Sequence, residues 1–505
     1  MKKTTIIVMI VTIIAKIFGF LRDTLITTMF GVGSVSDAFT FAYSLPSMVF
    51  TVITATLVTG FIPMYSRVLR EGKERANTFA NNVFNILNLL AFVVGILFLL
   101  APEFLVSVAA TGFRNNPETL ALATTFVRLM SFSIVGMAIA QIGTGYLNVH
   151  QSFIIPNLIA IPGNIIILIC TVLAARTGQT WILGVGALSS YIFQGLIIFM
   201  QMRKVGFKYK PFIDFNDEHL KTMVTLSIPL LISALISTGN DMFTRSYATS
   251  IYDEGAFTYI TYASRLQSFV LGLFVNGILS VAYPTITTAV VEKKQDRLIH
   301  SINDAILMLS LFVFPAMVGM LLMSEDIVRF VYATNDMFTD QNVQMLATIL
   351  IGYVVGIFFV AIRDLFSRIH YAFQDMKKPL IGSVIYIVFN ITGCIILGSI
   401  FGLSGLALAT SIASFISMLF LIWNAKTNLG ILNLKPIRSD FSKILIASGL
   451  MGVTVYFVNP LLQSQIGSQR IAVLGSIIAA VVVYLVAVLA LRVQVVWQIL
   501  KRKSS

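Results

Sequence analysis

The chain has 505 residues, of which 57% are hydrophobic and only 11% are charged, and its formal net charge is +13 at pH 7. This composition excludes a soluble globular protein and indicates an all-α, polytopic membrane protein. The two cysteines, Cys170 and Cys394, lie within apolar runs, so a framework of disulfides is unsupported.

Runs of about 20 apolar residues predict about fourteen transmembrane helices, among them residues 118–147, 379–400 and 404–425. Most of the 35 lysines and arginines fall in the loops on one side of these helices, the side that carries the N-terminus. The positive-inside rule then predicts that both termini are cytoplasmic. The net charge therefore reflects topology, and binding to nucleic acid is not expected.

The first predicted span, residues 4–30, is interrupted by Lys16, Arg22 and Asp23. Lys16 lies about 18 Å from the start of this helix, deep within a hydrocarbon layer of about 30 Å. A charge at that depth costs roughly 3 kcal/mol. One interpretation is a snorkelling side chain beside a local Arg22–Asp23 pair. The other is a cationic site, inside a membrane cavity, for an anionic substrate.

The sequence contains an internal repeat, in which similar segments recur at an offset of 218 to 223 residues. The matched pairs are Asp23 with Asp241, Ala38 with Ala256, Pro63 with Pro284, and Gln151 with Gln374. The offset covers six helices, an even number, so the two halves should point the same way and be related by a pseudo-two-fold axis along the membrane normal.

The repeat predicts two six-helix lobes followed by two further helices. The N-terminal lobe is expected at 1–205, a cytoplasmic linker at 206–221, the C-terminal lobe at 222–430, and helices 13 and 14 at 431–505.

Helices one, two, seven and eight are equivalent in the repeat, so they are predicted to wall a central cavity. Arg265 lies about ten residues into helix eight, without an acidic neighbour on its own helix face. Lys16, Arg22 and Arg265 facing such a cavity would suit a phosphate or pyrophosphate, with Arg as a fork and Lys as a point charge. Gly19 would allow helix one to bend during alternating access.

An enzyme is not expected, because the sequence lacks a phosphate-binding G-x-x-x-x-G-K-[ST] motif and its four histidines lack metal-ligand spacing. A transporter and a membrane scaffold both stay open at this point. A scaffold has no need for charges deep in the membrane, so tolerance of their substitution would favour it.

Four segments carry a recognisable pattern: KIFGFLRD at 16–23, SDAF at 36–39, LP at 45–46 and YASRL at 262–266. Together they closely resemble the signature of the MurJ/MviN family, the lipid II flippases of the MOP exporter superfamily. The resemblance covers the whole chain and includes the two trailing helices.

This resemblance implies translocation of an undecaprenyl-pyrophosphate-linked disaccharide-pentapeptide from the inner to the outer leaflet of the bacterial cytoplasmic membrane, by alternating access. It implies that Lys16, Arg22 and Arg265 bind the pyrophosphate, and that Asp23, Asp37 and Gly19 line the cavity or gate it. The trailing helices would form a groove for the lipid tail. Membrane lipids, the lipid-linked precursor and cell-wall synthesis enzymes are the expected partners.

The chain departs from the family pattern after Pro46, where helix two lacks the basic pair and the acidic residue that often follow. This departure leaves open an exporter of another lipid-linked oligosaccharide, or a small-molecule antiporter.

The expected coupling is by Na⁺, H⁺ or the membrane potential. Asp241, Asn390 and Thr410 form a candidate cation site, as similar sites in related exporters suggest. The alternative is that they are buried, hydrogen-bonded polar residues.

Overall fold

The computed structural model describes residues 2–252, 254–333, 337–430, 433–466 and 468–496. The regular secondary structure within these ranges is helical and includes no strand. Of the described helices, nine precede the linker to α10: α1 (Lys2–Phe30), α2 (Ser34–Glu71), α3 (Lys73–Leu100), α4 (Pro102–Ala109), α5 (Pro117–Leu129), α6 (Ser133–Val149), α7 (Ile154–Leu158), α8 (Ala160–Thr177) and α9 (Trp181–Val205).

Ten more helices follow the linker, and a π-helical segment, Leu271–Val275, joins two of them. They are α10 (Glu218–Ile251), α11 (Ala256–Val270), α12 (Asn276–Val291), α13 (Gln295–Leu322), α14 (Ser324–Val331), α15 (Asp340–Val354), α16 (Ile357–Ala372), α17 (Lys377–Asn428), α18 (Arg438–Gln465) and α19 (Gln469–Ala490). Short 3₁₀ turns lie at Thr111–Asn115 and Lys435–Ile437.

Contacts between residues divide the chain into two compact units. The first comprises the described residues up to Thr258 together with 337–338, and the second comprises the remaining described residues. Helix α10 belongs to the first unit, where it packs along α2. The six-helix lobes expected from the repeat stay a prediction, because a division by contacts does not measure repeat symmetry.

The packing of the first unit depends on close approaches between helix backbones. A Cβ at Gly136 on α6 would overlap the backbone of Tyr191 on α9, and Gly195 of α9 lies against Gly136 itself. Small residues at such crossings are the usual means by which helices associate in lipid, where apolar burial gives little driving force. Buried aromatic residues fill the remaining space, including Phe39 and Phe126, whose ring centroids are 5.9 Å apart.

Helix α17 is a hairpin of two helices rather than one long rod. Gly402 has φ 60° and ψ −140°, which breaks the helix, and a Cβ at Gly405 would overlap the backbone of Leu397. The break falls between the two spans predicted at 379–400 and 404–425.

The backbone repeats the pattern that the sequence predicts. The order of helices from α1 to α9 recurs from α10 to the end of α17, including an eight-residue helix at α4 and again at α14. Residues with a positive φ recur at offsets of 221 to 224 residues. The equivalent pairs are Gly72 with Lys293, Gln151 with Gln374, Gly178 with Gly402, and Gly206 with Gly430.

Among the described residues, nine helical segments are long and apolar enough to cross a membrane, or ten if the bent pair α5–α6 is one span. The predicted class, an all-α polytopic membrane protein, is thereby confirmed, while the count of about fourteen spans stays a prediction. The predicted span 118–147 is broken, because α5 and α6 meet at an angle of 52°.

Candidate functional site

The charged residues of helix α1 lie in the first unit, and Arg22 is held in a fixed position there. Its Nε and Nη2 donate to Asp23 Oδ1 at 3.0 and 2.8 Å, and its Nη1 donates to Asn164 Oδ1 on α8 at 3.1 Å. Both charged side chains are almost fully buried. Because α8 packs along α1, the amide of Asn164 reaches a guanidinium that lies 142 residues earlier in the chain.

Two stacked tyrosine rings lie next to the guanidinium of this ion pair. The Arg22 guanidinium carbon is 4.4 Å from the ring centroid of Tyr43 on α2, a cation–π distance. Tyr43 in turn stacks on Tyr191 of α9, with ring centroids 5.4 Å apart. Sequence reasoning missed Tyr43, Tyr191 and Asn164, because each is a single polar residue within a different apolar span and no spacing links them to Arg22.

Lys16 and Gly19 lie on the same unbroken helix α1, nearer its N-terminus. Lys16 is half-buried, and the helix geometry sets it about 9 Å from Arg22 along the axis and about 120° around it. No atom lies within 4 Å of a Cβ built at Gly19. Lys16 and Arg22 therefore leave the α1 backbone in different directions, and their long side chains would have to converge to reach one anion.

Asp37 caps a neighbouring helix. It lies in the first turn of α2, is fully buried, and its Oδ1 accepts from the backbone N–H of Thr258 at 2.8 Å. A carboxylate at the N-terminus of a helix satisfies an N–H that has no partner within the helix and interacts favourably with the helix dipole. The geometry gives Asp37 a structural part in joining the starts of α2 and α11.

Arg265 lies on α11 in the second unit, where it is half-buried. Its guanidinium carbon is 5.8 Å from the ring centroid of Tyr262. Tyr262 is stacked on Tyr332, with centroids 4.7 Å apart. Lys16 and Arg22 belong to the first unit, so the convergence of the three cations on one cavity stays a prediction.

Two residues of the candidate cation site lie together. Thr410 Oγ1 donates to Asn390 Oδ1 at 3.1 Å across the α17 hairpin, and Asn390 is fully buried. Asp241 is an exposed residue of α10 in the first unit. Within the described ranges no three His, Cys, Asp or Glu residues cluster as metal ligands would. A Na⁺ site would therefore have to take its oxygens from amide and hydroxyl groups as well.

A largely apolar cavity of about 430 Å³ lies in the second unit, among α13, α16, α17 and α18. Its walls include Phe358, Phe366 and Phe441, and Lys435 and Arg438 also line it. It thus involves α18, the first of the two trailing helices, for which the family resemblance implies a groove that holds a lipid tail.

The hydrogen bonds that Arg22 already makes limit how it could bind an anion. Asp23 balances the charge of Arg22, and three of the five guanidinium N–H groups are engaged by Asp23 and Asn164. An incoming phosphate would share Arg22 with Asp23, or take the bond that Asn164 now makes.

Comparison with known proteins gives a consistent result. A family model described as "Lipid II flippase MurJ" matches residues 26–490. The lipid II flippase MurJ of Thermosipho africanus is 28% identical over 457 residues, which cover 90% of each chain. A protein of Rickettsia prowazekii described as a probable lipid II flippase MurJ is 24% identical over 96% of each chain.

Solved structures agree with this match. One described as "Lipid II flippase MurJ, inward closed conformation" superposes with a TM-score of 0.80 at 29% identity, covering 95% of this chain and 98% of that one. A multidrug resistance MATE family transporter of the MOP superfamily superposes with a TM-score of 0.69 at 15% identity, covering 86% of this chain and 99% of that one, and shows a shared fold alone. The family model spans most of the sequence, and the chain therefore belongs to the lipid II flippase MurJ family.

Proposed function

We propose that this protein is a flippase, which moves the undecaprenyl-pyrophosphate-linked peptidoglycan precursor lipid II from the inner to the outer leaflet by alternating access. The observation that carries the proposal is the match to the lipid II flippase family over residues 26–490. The protein acts in this proposal as a transporter and not as an enzyme, and its substrate partner is the lipid-linked precursor.

We assign the pyrophosphate to Lys16, Arg22 and Arg265. Support comes from the buried, oriented guanidinium of Arg22, because a fork of N–H groups matches the oxygens of a phosphate. Asp23 orients this fork, and Asp37 and Gly19 belong to the moving part of the cavity wall. The lipid tail is assigned to the cavity lined by Phe358, Phe366 and Phe441.

The test measures how much lipid II is accessible at the outer leaflet of cells that depend on this protein. Lys16→Ala and Arg265→Ala should each abolish this accessibility at normal protein levels. Arg22→Ala should abolish it too, and Arg22→Lys, which keeps a charge beside Asp23 but loses the fork, should restore it only weakly. Arg297→Ala, which removes an exposed cation, is the matched control. Full accessibility with the triple alanine variant would refute the site, and unchanged accessibility after depletion would refute the function.

Coupling to an ion is a separate part of the proposal. Na⁺ would use the oxygens of Asn390 and Thr410, which are already adjacent, with Asp241 as the charged ligand; H⁺ or the membrane potential are the alternatives. Translocation in vesicles with a Na⁺ gradient as the only driving force should fall on Asn390→Ala. Activity that is independent of Na⁺ would assign coupling to H⁺ or to the potential, which acts on a moving charge by about 2.3 kcal/mol per 100 mV.

We place the protein in the bacterial cytoplasmic membrane with both termini in the cytoplasm, in association with cell-wall synthesis enzymes. The basic loops support this orientation. Reporter fusions to each terminus should be active only on the cytoplasmic side, and cross-linking in cells should recover enzymes that use lipid II.

A further inference from the structure

The linker between α9 and α10 is fastened along helix α3. Residues 207–215 form no regular secondary structure and run beside α3, which carries five asparagines, four of them bonded to this segment. Three of these, Asn77, Asn81 and Asn85, recur every four residues and so form one row on the helix. This row together with Asn82 is the asparagine ladder, and the segment that it holds, 207–215, is the strap.

The ladder satisfies the backbone of alternate residues of the strap. The amides of Asn77, Asn81 and Asn82 each accept from one backbone N–H of the strap, and all four asparagines donate to its carbonyls, at 2.7 to 2.9 Å. The strap residues so bonded are Lys208, Lys210, Phe212 and Asp214. Pro211 has no N–H to satisfy.

The strap also contacts the apolar parts of α3 and α9 through Tyr209. The ring of Tyr209 lies 6.1 Å from that of Phe84 and 6.0 Å from that of Phe199, and both partners belong to candidate membrane spans. Phe199 precedes the basic end of α9 at Arg203 and Lys204. Irregular backbone at membrane depth is tolerated only where its polar groups find partners within the protein, which the ladder supplies.

The exposed side chains of the strap and of the adjoining end of α9 include both apolar and basic residues. Tyr209, Phe212, Ile213 and Phe215 are 48%, 39%, 43% and 63% exposed. The exposed basic residues beside them are Arg203, Lys204, Lys208 and Lys210. Aromatic rings are enriched at the membrane–water interface, and basic residues there bind anionic headgroups.

We propose that the strap is an interfacial anchor that binds anionic phospholipids in the leaflet where α9 ends. Its aromatic side chains enter the boundary between headgroups and acyl chains, and Lys208 and Lys210 bind the headgroup phosphates. The ladder makes this possible, because its hydrogen bonds remove the cost of bringing an irregular backbone to that depth.

The depth of the strap is tested with single spin labels on the full-length protein in vesicles of phosphatidylcholine with phosphatidylglycerol, after replacement of Cys170 and Cys394 by serine. A label at Ile213→Cys should be relaxed more by oxygen than by a water-soluble nickel chelate. The control, Asn216→Cys, is exposed three residues further on and should behave in the opposite way. Equal access of the nickel chelate to both labels would overturn the proposal and leave the exposed side for a soluble partner.

The charge preference is tested with a fluorophore at Ile213→Cys and brominated lipids as quenchers. Brominated phosphatidylglycerol should quench more strongly than brominated phosphatidylcholine, and Lys208→Gln and Lys210→Gln should each reduce this preference by about fivefold. Equal quenching by the two lipids when Lys208 and Lys210 are both present would overturn the assignment to anionic lipid.

The ladder is tested with the double variant Asn81→Ala and Asn85→Ala. In this variant the nickel chelate should reach the label at Ile213→Cys more easily. In the control, Asn88→Ala, its access to the label should not change, because Asn88 donates within α3, to the carbonyl of Phe84. Gel-filtration profiles establish that each variant is folded. A double variant that is folded, with its label still shielded, would show that the ladder does not hold the strap.

Discussion

Arg22 and Asp23 show at the level of single residues how a buried charge is accommodated. The two side chains are adjacent in sequence, and their pairing could be predicted from the sequence. Asn164 and Tyr43, which complete the surroundings of Arg22, could not, because nothing in the local sequence of α1 determines which faces of α8 and α2 it meets. Removing one member of such a pair leaves an uncompensated buried charge.

Asp23→Asn should therefore lower the stability of the protein by about 3–5 kcal/mol. The chain offers a matched control in Arg363 and Asp364, an adjacent pair with the same order and a similar distance, 3.1 Å, but with Asp364 41% exposed. Asp364→Asn should cost no more than about 1 kcal/mol. Thermal unfolding in detergent gives both values, and equal losses would contradict the role of burial.

The surroundings of His150 should make the stability of the protein depend on pH. It lies just beyond α6, where its Nε2 is 3.1 Å from the hydroxyl of Tyr65. Burial, and then the charge of Lys73, lower its pKa below 6.5. The unfolded chain therefore takes up the proton first as the pH falls, so the folded state loses stability below about pH 6.5. His150→Gln should flatten the curve of melting temperature against pH from 7.5 to 5.5; an unchanged curve would assign the dependence elsewhere.

At the level of elements, the sequence predicts where helices cross the membrane better than where they break. The turn at Gly402 falls between two predicted spans, where glycine can adopt the positive φ of 60° that breaks the helix. The bend between α5 and α6 carries no such signal, since neither proline nor glycine occurs at Met130–Phe132. Gly95 of α3 lies against the carbonyl of Ser131 and the ring of Phe132, so the break coincides with a tertiary contact that the local sequence does not reveal.

Two glycines with contrasting surroundings, Gly136 and Gly19, give a test at this level. Gly136→Ala should destabilise the protein by about 1–3 kcal/mol, because the added methyl group overlaps the backbone of Tyr191 and separates α6 from α9. Gly19→Ala has open space and a helical backbone, so its stability should be unchanged or up to about 1 kcal/mol higher.

Gly19→Ala also tests the predicted bend in α1. If this helix bends at Gly19 during transport, the variant should be stable and yet move lipid II more slowly in the leaflet assay. Normal transport would show that the bend is elsewhere.

At the level of the whole molecule, the repeat is visible in turns as well as in helices. Gln151 and Gln374 both adopt φ 59°, at the equivalent turn in each half. A left-handed conformation costs a non-glycine residue about 1–2 kcal/mol, and more for a β-branched one. The sequence predicts this equivalence because both glutamines precede a proline at the same spacing.

Gln151→Val and Gln374→Val should consequently lower the melting temperature by similar amounts, whereas glycine at either position should be tolerated. The comparison is internal, since each half is the control for the other. Strongly unequal losses would show that the two turns differ in their surroundings although their backbones agree.

The hydrogen bond between Asp37 and Thr258 has a consequence for biosynthesis. Donor and acceptor are 221 residues apart, and the repeat sets Gly255, which has no carboxylate, at the position equivalent to Asp37. At translation rates of about 5–20 residues per second, the carboxylate is made roughly 10–45 seconds before its partner. Until Thr258 has been made, the carboxylate of Asp37 lacks this backbone donor, so synthesis of the start of α11 completes the hydrogen bond that ties it to α2.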